Sequence, residues 1–348
     1  MSLPTISVII PCYNYARYIG QSIDSVLAQG YPLLDLVVVN DGSTDGSIDV
    51  IRRHATDSTI IDQSNRGHVP ACNTGFAASR GDIVIFLDAD DLLEPDALLS
   101  VASVWTPILA KVQFDLKVID ADGNTLGKRR FGHFGSDYTV ERVRREFART
   151  ATYRWPVTSG NAYSRWFVSQ VFPQRFRGTV DGYLNTIAPL YGDVLTLPKV
   201  LGGYRLHDCN LSAKTRASSG LVDIIVRRRE ELAEMRRHAA SRGVKLPEAD
   251  PLDHELPFLN YRLIALRLGM SYSGSDRDSP SRLLRKALRQ VGREGLPLTV
   301  AAMHAVWFLL VSVLPKQGVS VMVKARFERA ELSRGWRQRR FRAAARGA

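Results

Sequence analysis

The stretch ISVIIPCYNYARYIGQSIDSVLAQGYPLLDLVVVNDGSTDGS, running from Ile6 to Ser47, decides the fold. Ile6–Pro11 is a short apolar run rich in β-branched residues, which predicts a buried strand. A polar turn at Tyr13–Tyr15 follows. Tyr18–Leu27 then places Ile19, Ile23, Val26 and Leu27 at helical spacing. Leu36–Val39 is a second apolar strand, closed by Asp41-Gly42. Asp45–His54 reads as a helix with Asp45 as its N-cap. Outward from this core the alternation continues. Thr59–Asp62 predicts a strand, Val69–Ala78 a helix and Ile83–Leu87 a strand, and Pro95 opens a further helix in a favoured first-turn position.

Apolar strands separated by helices predict an α/β fold, Rossmann-like, with a mostly parallel sheet and helices on both faces. In such sheets ligands bind beyond the carboxyl ends of the strands. The polar clusters Tyr13-Asn14, Asp41-Gly42-Ser43 and Asp88–Asp91 fall there. Beyond residue 100 the pattern is less regular. Val112–Ile119 predicts a strand entering a turn at Asp122-Gly123, and Val194–Leu206 predicts strands around Pro198 and Gly202-Gly203. From about Gly220 the chain reads as helical and basic, with a polar linker at Ser271–Ser281. The expected division is 1–215 as the α/β domain and 216–348 as a mostly helical extension.

Several function classes are excluded early. No GxGxxG follows the first strand and no GxxxxGK[ST] loop is present, which argues against a dinucleotide dehydrogenase and a P-loop NTPase. The net charge is +12, which suggests a polyanionic partner. Much of it sits after Lys316, without a nucleic-acid reader motif, so no nucleic-acid partner is expected. Cys12, Cys72 and Cys209 form no CxxC pair and read as reduced and structural, and the N-terminus has no signal-peptide pattern.

Asp88-Ala89-Asp90-Asp91 ends a strand. Its hard oxygen ligands suit Mg²⁺ or Mn²⁺, which keep waters and bind substrate phosphates. The same tetrapeptide also reads as an acidic turn capping the next helix. Asp41 is placed to accept from a base or a ribose, or to form a tight turn. Tyr13 is placed to stack on a nucleobase or to pack. Trp155 and Trp166 offer either a sugar-stacking face or core packing. Arg205 is a candidate for phosphate charge.

Taken together, Ile6–Ser47 and NRGHVPACNTGFAASRGDIVIFLDADDLLEPDAL (Asn65–Leu98) resemble the family-two glycosyltransferases of the GT-A fold. The resemblance is continuous over the first hundred residues. It weakens through SGNAYSR (Ser159–Arg165), GTVDGYL (Gly178–Leu184) and YRLHDCNLS (Tyr204–Ser212). It implies that Pro11 and Tyr13 line a nucleobase pocket with Asp41 on the base, and that Asn65, Arg66 and Gly67 lie near base and ribose. Asp88 and Asp90 become the DxD pair, with Asp90 most directly on the metal and Asp88 near the ribose. Arg80-Gly81-Asp82 leads into the metal strand, and His207 lies over the diphosphate or donor sugar. Asp181 matches the catalytic base, although Val180 replaces the family's usual Glu and Asn40 stands where Asp is common.

The implied reaction transfers one sugar, by default from a UDP-sugar, to an acceptor hydroxyl on a glycan or lipid-linked acceptor, as in cell-surface polysaccharide or glycolipid synthesis. The acceptor must lose a proton as it attacks, and the leaving diphosphate develops charge that a divalent cation stabilises. A single displacement inverts the anomeric centre. Without the resemblance, Asp181 reads as a helix N-cap, and the chain as a non-catalytic binder of nucleotide-sugars or polyanions.

Leu296–Leu314 approaches the ~20 apolar residues of a bilayer span, but one crossing would part the cytosolic donor site from a basic tail that also prefers the cytosolic side. The expectation is a cytoplasmic protein, peripheral on the inner face, with this segment packed on the domain or dipping into an anionic membrane surface.

Overall fold

A computed structural model describes residues 3–131, 134–176, 178–207, 220–294 and 296–325. The chain divides into two compact units. The first comprises 1–149, 153–206 and 231–246, and the second 150–152, 207–230 and 247–348.

The first unit is built on β1 (Ile6–Cys12), α1 (Ile19–Leu27), β2 (Leu34–Asp41), α2 (Ser47–His54), β3 (Thr59–Gln63), α3 (His68–Ala78) and β4 (Ile83–Phe86). β1 lies between β2 and β4, and β3 flanks β2, all parallel. Ile6, Val8, Ile9 and Ile10 are fully buried, which is why this strand is apolar on both faces. The register pairs Cys12 with Asn40, Asn40 with Asp62 and Ile9 with Phe86, so the carboxyl ends form one row. The fold class is the α/β type, with a parallel β3-β2-β1-β4 sheet, that the sequence predicts.

The sheet then continues through β5 (Leu92–Leu93), α4 (Ala97–Ser103), β6 (Leu109–Ile119), β7 (Thr125–Phe131), α5 (Val140–Thr150), β8 (Asn161–Ser164), α6 (Arg165–Val171), α7 (Val180–Tyr191) and β9 (Asp193–Arg205). The strand order is β3-β2-β1-β4-β8-β6-β9-β5, with β7 beside β6. β8 runs antiparallel to β4 and β6, whereas β9 is parallel to β6. β9 is one long strand rather than several. Its register slips at Pro198-Lys199, between the pairs Phe114–Leu197 and Asp115–Val200, because a proline without an N–H cannot serve a ladder.

Two helix starts differ from expectation. Gly46, at φ 83°, is the N-cap of α2, although Asp45 Oδ1 still accepts from the Ser47 N–H at 3.1 Å. Pro95 precedes α4 rather than sitting in its first turn. β5 pairs with β9, the Glu94 N–H bonds Leu201 O, and the helix begins only after Asp96.

The second unit contains the first half of α8 (Leu221–Ser241), then α9 (Leu256–Arg267), α10 (Pro280–Arg293) and α11 (Leu298–Val313), with 316–325 also helical. Its core gathers Leu259, Leu263, Leu283, Ala287, Phe308 and Val311. The segment read as a polar linker is anchored. Arg262, almost fully buried, pairs with Asp253 at 2.9 Å and Asp278 at 2.5 Å, and Tyr272 donates to Asp278 at 2.6 Å. No helix among the described residues is long and apolar enough to cross a membrane.

Candidate active site

The row of carboxyl ends carries three polar loops. On the first, Tyr13 is exposed and Pro11 buried. Asn14 takes φ 60° and its Oδ1 accepts from the Thr44 N–H at 2.7 Å, tying the β1 loop to the β2 loop. On the second, Asp41 is buried. Its Oδ1 accepts from Gln63 Nε2 at 2.7 Å and the Arg66 N–H at 2.9 Å, and its Oδ2 from the Gly67 N–H at 2.7 Å. This carboxylate therefore holds the 65–67 loop in place, leaving the Asn65 and Arg66 residues exposed. Gly42, at φ +69°, lies so close that an added Cβ would sit 2.6 Å from the Asn65 nitrogen. Only glycine fits there.

The third loop is Asp88–Asp91. The Asp91 N–H bonds Asp88 O, closing a turn. Asp91 is fully buried and faces inward, with Oδ2 accepting from Ser159 Oγ at 2.6 Å and Oδ1 from the Arg205 N–H at 2.9 Å. Burial pushes its carboxyl well up, the charges of Asp90 and Asp88 push further, and Ser159 and Arg205 oppose them. Asp88 is the accessible member, its side chain 28% exposed, with His68 Nε2 3.4 Å from its Oδ1.

Arg205, expected near donor phosphate, has all three guanidinium nitrogens committed inside the protein. Nε donates to Asp90 O at 2.7 Å, Nη1 to Ala121 O at 3.1 Å, and Nη2 to Gln21 Oε1 at 2.8 Å, while the group lies 5.0 Å from the Tyr18 ring centroid. It is fully buried and fastens the acidic turn to α1 and β6. His207 is buried and falls in the second unit. Cys12 and Cys72 are free and buried, and Cys209 lies outside the described residues.

Asp181 sits in the first turn of α7, but Thr179 is the cap, its Oγ1 accepting from the Gly182 N–H at 3.0 Å. α7 is braced by the second half of α8. Tyr183 and Tyr191 contact the two ring nitrogens of His238 at 2.9 and 2.6 Å, and Arg242 donates to Leu190 O at 2.9 Å. Burial pushes the Asp181 carboxyl above its ordinary 3.8. Asp88 adds to that, while Thr179, Gly182 and His68 oppose it. Asp181 nonetheless keeps some solvent exposure. The Asp181 carboxyl is therefore desolvated yet partly exposed, and it feels the charges of Asp88 and His68. His68 at the start of α3 meets Asp88 beyond β4, and the charges of both act on Asp181 at the start of α7.

Three contributors escaped the sequence reading. His68 lies one residue past the quoted Asn65-Arg66-Gly67. Ser159 opens the SGNAYSR stretch but is given no role by it. Lys111 is fully buried on β6, donating to Gln113 Oε1 at 2.8 Å, and its ammonium is held well below the ordinary value by burial, against the charge of Asp181. Trp155 packs against Tyr153, and Trp166 is partly exposed. Among the described residues no three His, Cys, Asp or Glu side chains gather as a ready-made metal site.

The α/β sheet with its polar loops at the strand ends resembles GT-A glycosyltransferase structures. Residues 7–165 match the model of glycosyl transferase family 2. An uncharacterized glycosyltransferase of Nostoc sp. is 37% identical over 213 residues, 59% of this chain and 66% of that protein. Glycosyltransferase GlyA of Streptococcus pneumoniae is 31% identical over 248 residues, 66% of this chain and 35% of that protein. The chain thus spans under two thirds of the length of these relatives. In fold it is similar to a mannosyltransferase of Pyrobaculum calidifontis solved with GDP-Man and Mn²⁺, with a TM-score of 0.52, 22% identity, and coverage of 97% of this chain and 88% of that one.

Proposed function

We propose that this protein is an inverting, metal-dependent glycosyltransferase that moves a sugar from a nucleotide-sugar to an acceptor hydroxyl on a glycan or lipid-linked molecule. The observation that supports it is the contact of Asp88 with His68 beyond the end of β4, together with the charge of Asp88 acting on the half-buried Asp181 of α7. The two carboxylates have separate work. Asp181 takes the acceptor proton as the hydroxyl attacks. Pro11, Tyr13, Asp41, Asn65 and Arg66 form the nucleoside side. Asp41 acts there by positioning the 65–67 backbone as well as through any lone pair left for the base. His207 serves the diphosphate or sugar side, and Arg205 acts by holding the acidic turn rather than by touching phosphate.

The donor set suits Mg²⁺ or Mn²⁺. Three carboxylates in four residues repel one another, Asp88 is accessible, and such ions bind through one or two carboxylates plus substrate phosphates. Asp88 and Asp90 would hold the ion, which neutralises charge developing on the leaving diphosphate. The similar mannosyltransferase is in complex with GDP-Man and Mn²⁺, which supports a nucleoside-diphosphate donor. A UDP-sugar is the first candidate here.

The test is thermal shift with UDP-, GDP- and dTDP-sugars. With Mn²⁺ present, one donor at about a hundred times its Kd should stabilise the protein by about 2.7 kcal/mol. Asp90→Ala should melt like the wild type and lose that shift. A full shift in EDTA, or an unaltered shift in Asp90→Ala, would remove the metal from the proposal.

A further inference from the structure

Helix α11 holds no Asp, Glu, Lys or Arg along its length yet is buried on one side only. Phe308 and Val311 join the core of the second unit, and Trp307 Nε1 donates inward to Asn260 Oδ1 at 2.7 Å. The opposite arc carries Leu298, Met303, Val306, Leu309, Leu310 and Val313, with Leu298 89% and Met303 and Val313 71% exposed. These positions recur at helical spacing on one face, and the arc holds no charged residue. A soluble helix ordinarily turns polar residues outward. At 16 residues α11 is about 24 Å long, shorter than the ~30 Å hydrocarbon core. It suits lying in an interface rather than crossing it.

A second observation names what covers the face. α10 packs on the same core through Leu283, Ala287 and Val291. Its outward side presents Arg282, Arg285, Arg289 and Arg293, all exposed and in one line along the helix. Lys316 and Lys324 are also exposed after α11, and residues 326–348 carry eight arginines against two glutamates. An uncharged apolar arc beside a line of arginines complements an anionic lipid surface, with acyl chains for one and headgroups for the other. A second copy of this chain would have to bury the same arginines against one another.

We propose that the α10–α11 face docks this protein in the plane of an anionic membrane, with the α11 arc in the headgroup–acyl boundary and the α10 arginines on lipid phosphates. Transfer would then take place at a lipid surface, which brings a lipid-linked acceptor within reach. Docking requires no turnover, so it is tested independently of the transfer reaction.

The experiment is flotation of the full chain with phosphatidylglycerol-rich vesicles and with phosphatidylcholine vesicles. Two variants are compared. One combines Met303→Gln, Val306→Gln and Leu310→Gln. The other combines Arg282→Gln, Arg285→Gln, Arg289→Gln and Arg293→Gln. All the altered side chains face solvent, so both variants should melt like the wild type. Wild type should float with the anionic vesicles and release as salt screens the arginines. The glutamine-arc variant should bind about tenfold more weakly or worse. The arginine variant should lose about fivefold per residue. No binding by the wild type at low salt, or wild-type binding by both variants, would overturn the proposal. Self-association abolished by the glutamine arc, without vesicle binding, would give the face to a second copy and also overturn it.

Discussion

Asp181→Asn should transfer sugar at least about a hundredfold more slowly than the wild type, the usual scale for losing a general base, while binding donor with unchanged affinity. The substitution keeps shape, and the helix cap belongs to Thr179 rather than Asp181, so α7 should stay in place. Two signs follow from the raised carboxyl pKa. A base must be ionised, so the wild-type rate should climb with pH along a limb lying above 3.8, and the variant should lack that limb. For stability, a carboxyl whose folded pKa exceeds its unfolded value favours folding fully below the unfolded pKa, and the benefit is lost as pH rises through the folded value. Above the folded value the ionised Asp181 is therefore a burden, and there Asp181→Asn should melt at or above the wild type. Near-wild-type transfer would reduce Asp181 to a residue that shapes α7.

Arg205→Met should cost about 3–5 kcal/mol of folding stability, the range for breaking a buried charged network, and should abolish donor binding. Removing the guanidinium strands the carbonyls of Asp90 and Ala121 and the Gln21 side chain without their donor, and each unsatisfied buried group carries a penalty. The acidic turn would then lose its tie to α1 and β6. Arg205→Lys should rescue little, since a compact ammonium cannot serve three directions at once. Denaturant midpoints measure the loss. If the methionine variant unfolds at the wild-type midpoint, Arg205 does not fasten the turn.

Much of the first unit was legible because its strands are buried on both faces. A run such as Ile6–Pro11 has one physical outcome in a parallel sheet, and the polar residues that break such runs fall at strand ends where ligands bind. Asp88 and Asp181 were readable as motif positions. The influence of one on the other was not, because α7 and the end of β4 lie far apart in the chain and α8 braces α7 from further along still. Arg205 misled for a related reason. In the sequence an arginine near a ligand motif reads as a phosphate contact, and only the backbone carbonyls around it, which carry no residue signature, reveal an inward role. Lys111 was invisible, and Ser159 legible only as the start of SGNAYSR, because their neighbours Asp181 and Asp91 lie far away in sequence. Leu296–Leu314 was legible as apolar but not as one-sided, since none of its faces holds an Asp, Glu, Lys or Arg and burial distinguishes them only once α9 and α10 are packed beneath.

The most direct test of the transfer reaction is nucleoside diphosphate release by the purified protein, followed with the donor that gives the thermal shift and an acceptor glycan, with Mn²⁺ and then with EDTA. Release should require both acceptor and Mn²⁺, stop in EDTA, return when Mn²⁺ is restored, and fall at least about a hundredfold in Asp181→Asn. Undiminished release in EDTA and in the Asp181→Asn variant would contradict the assignment of both carboxylates.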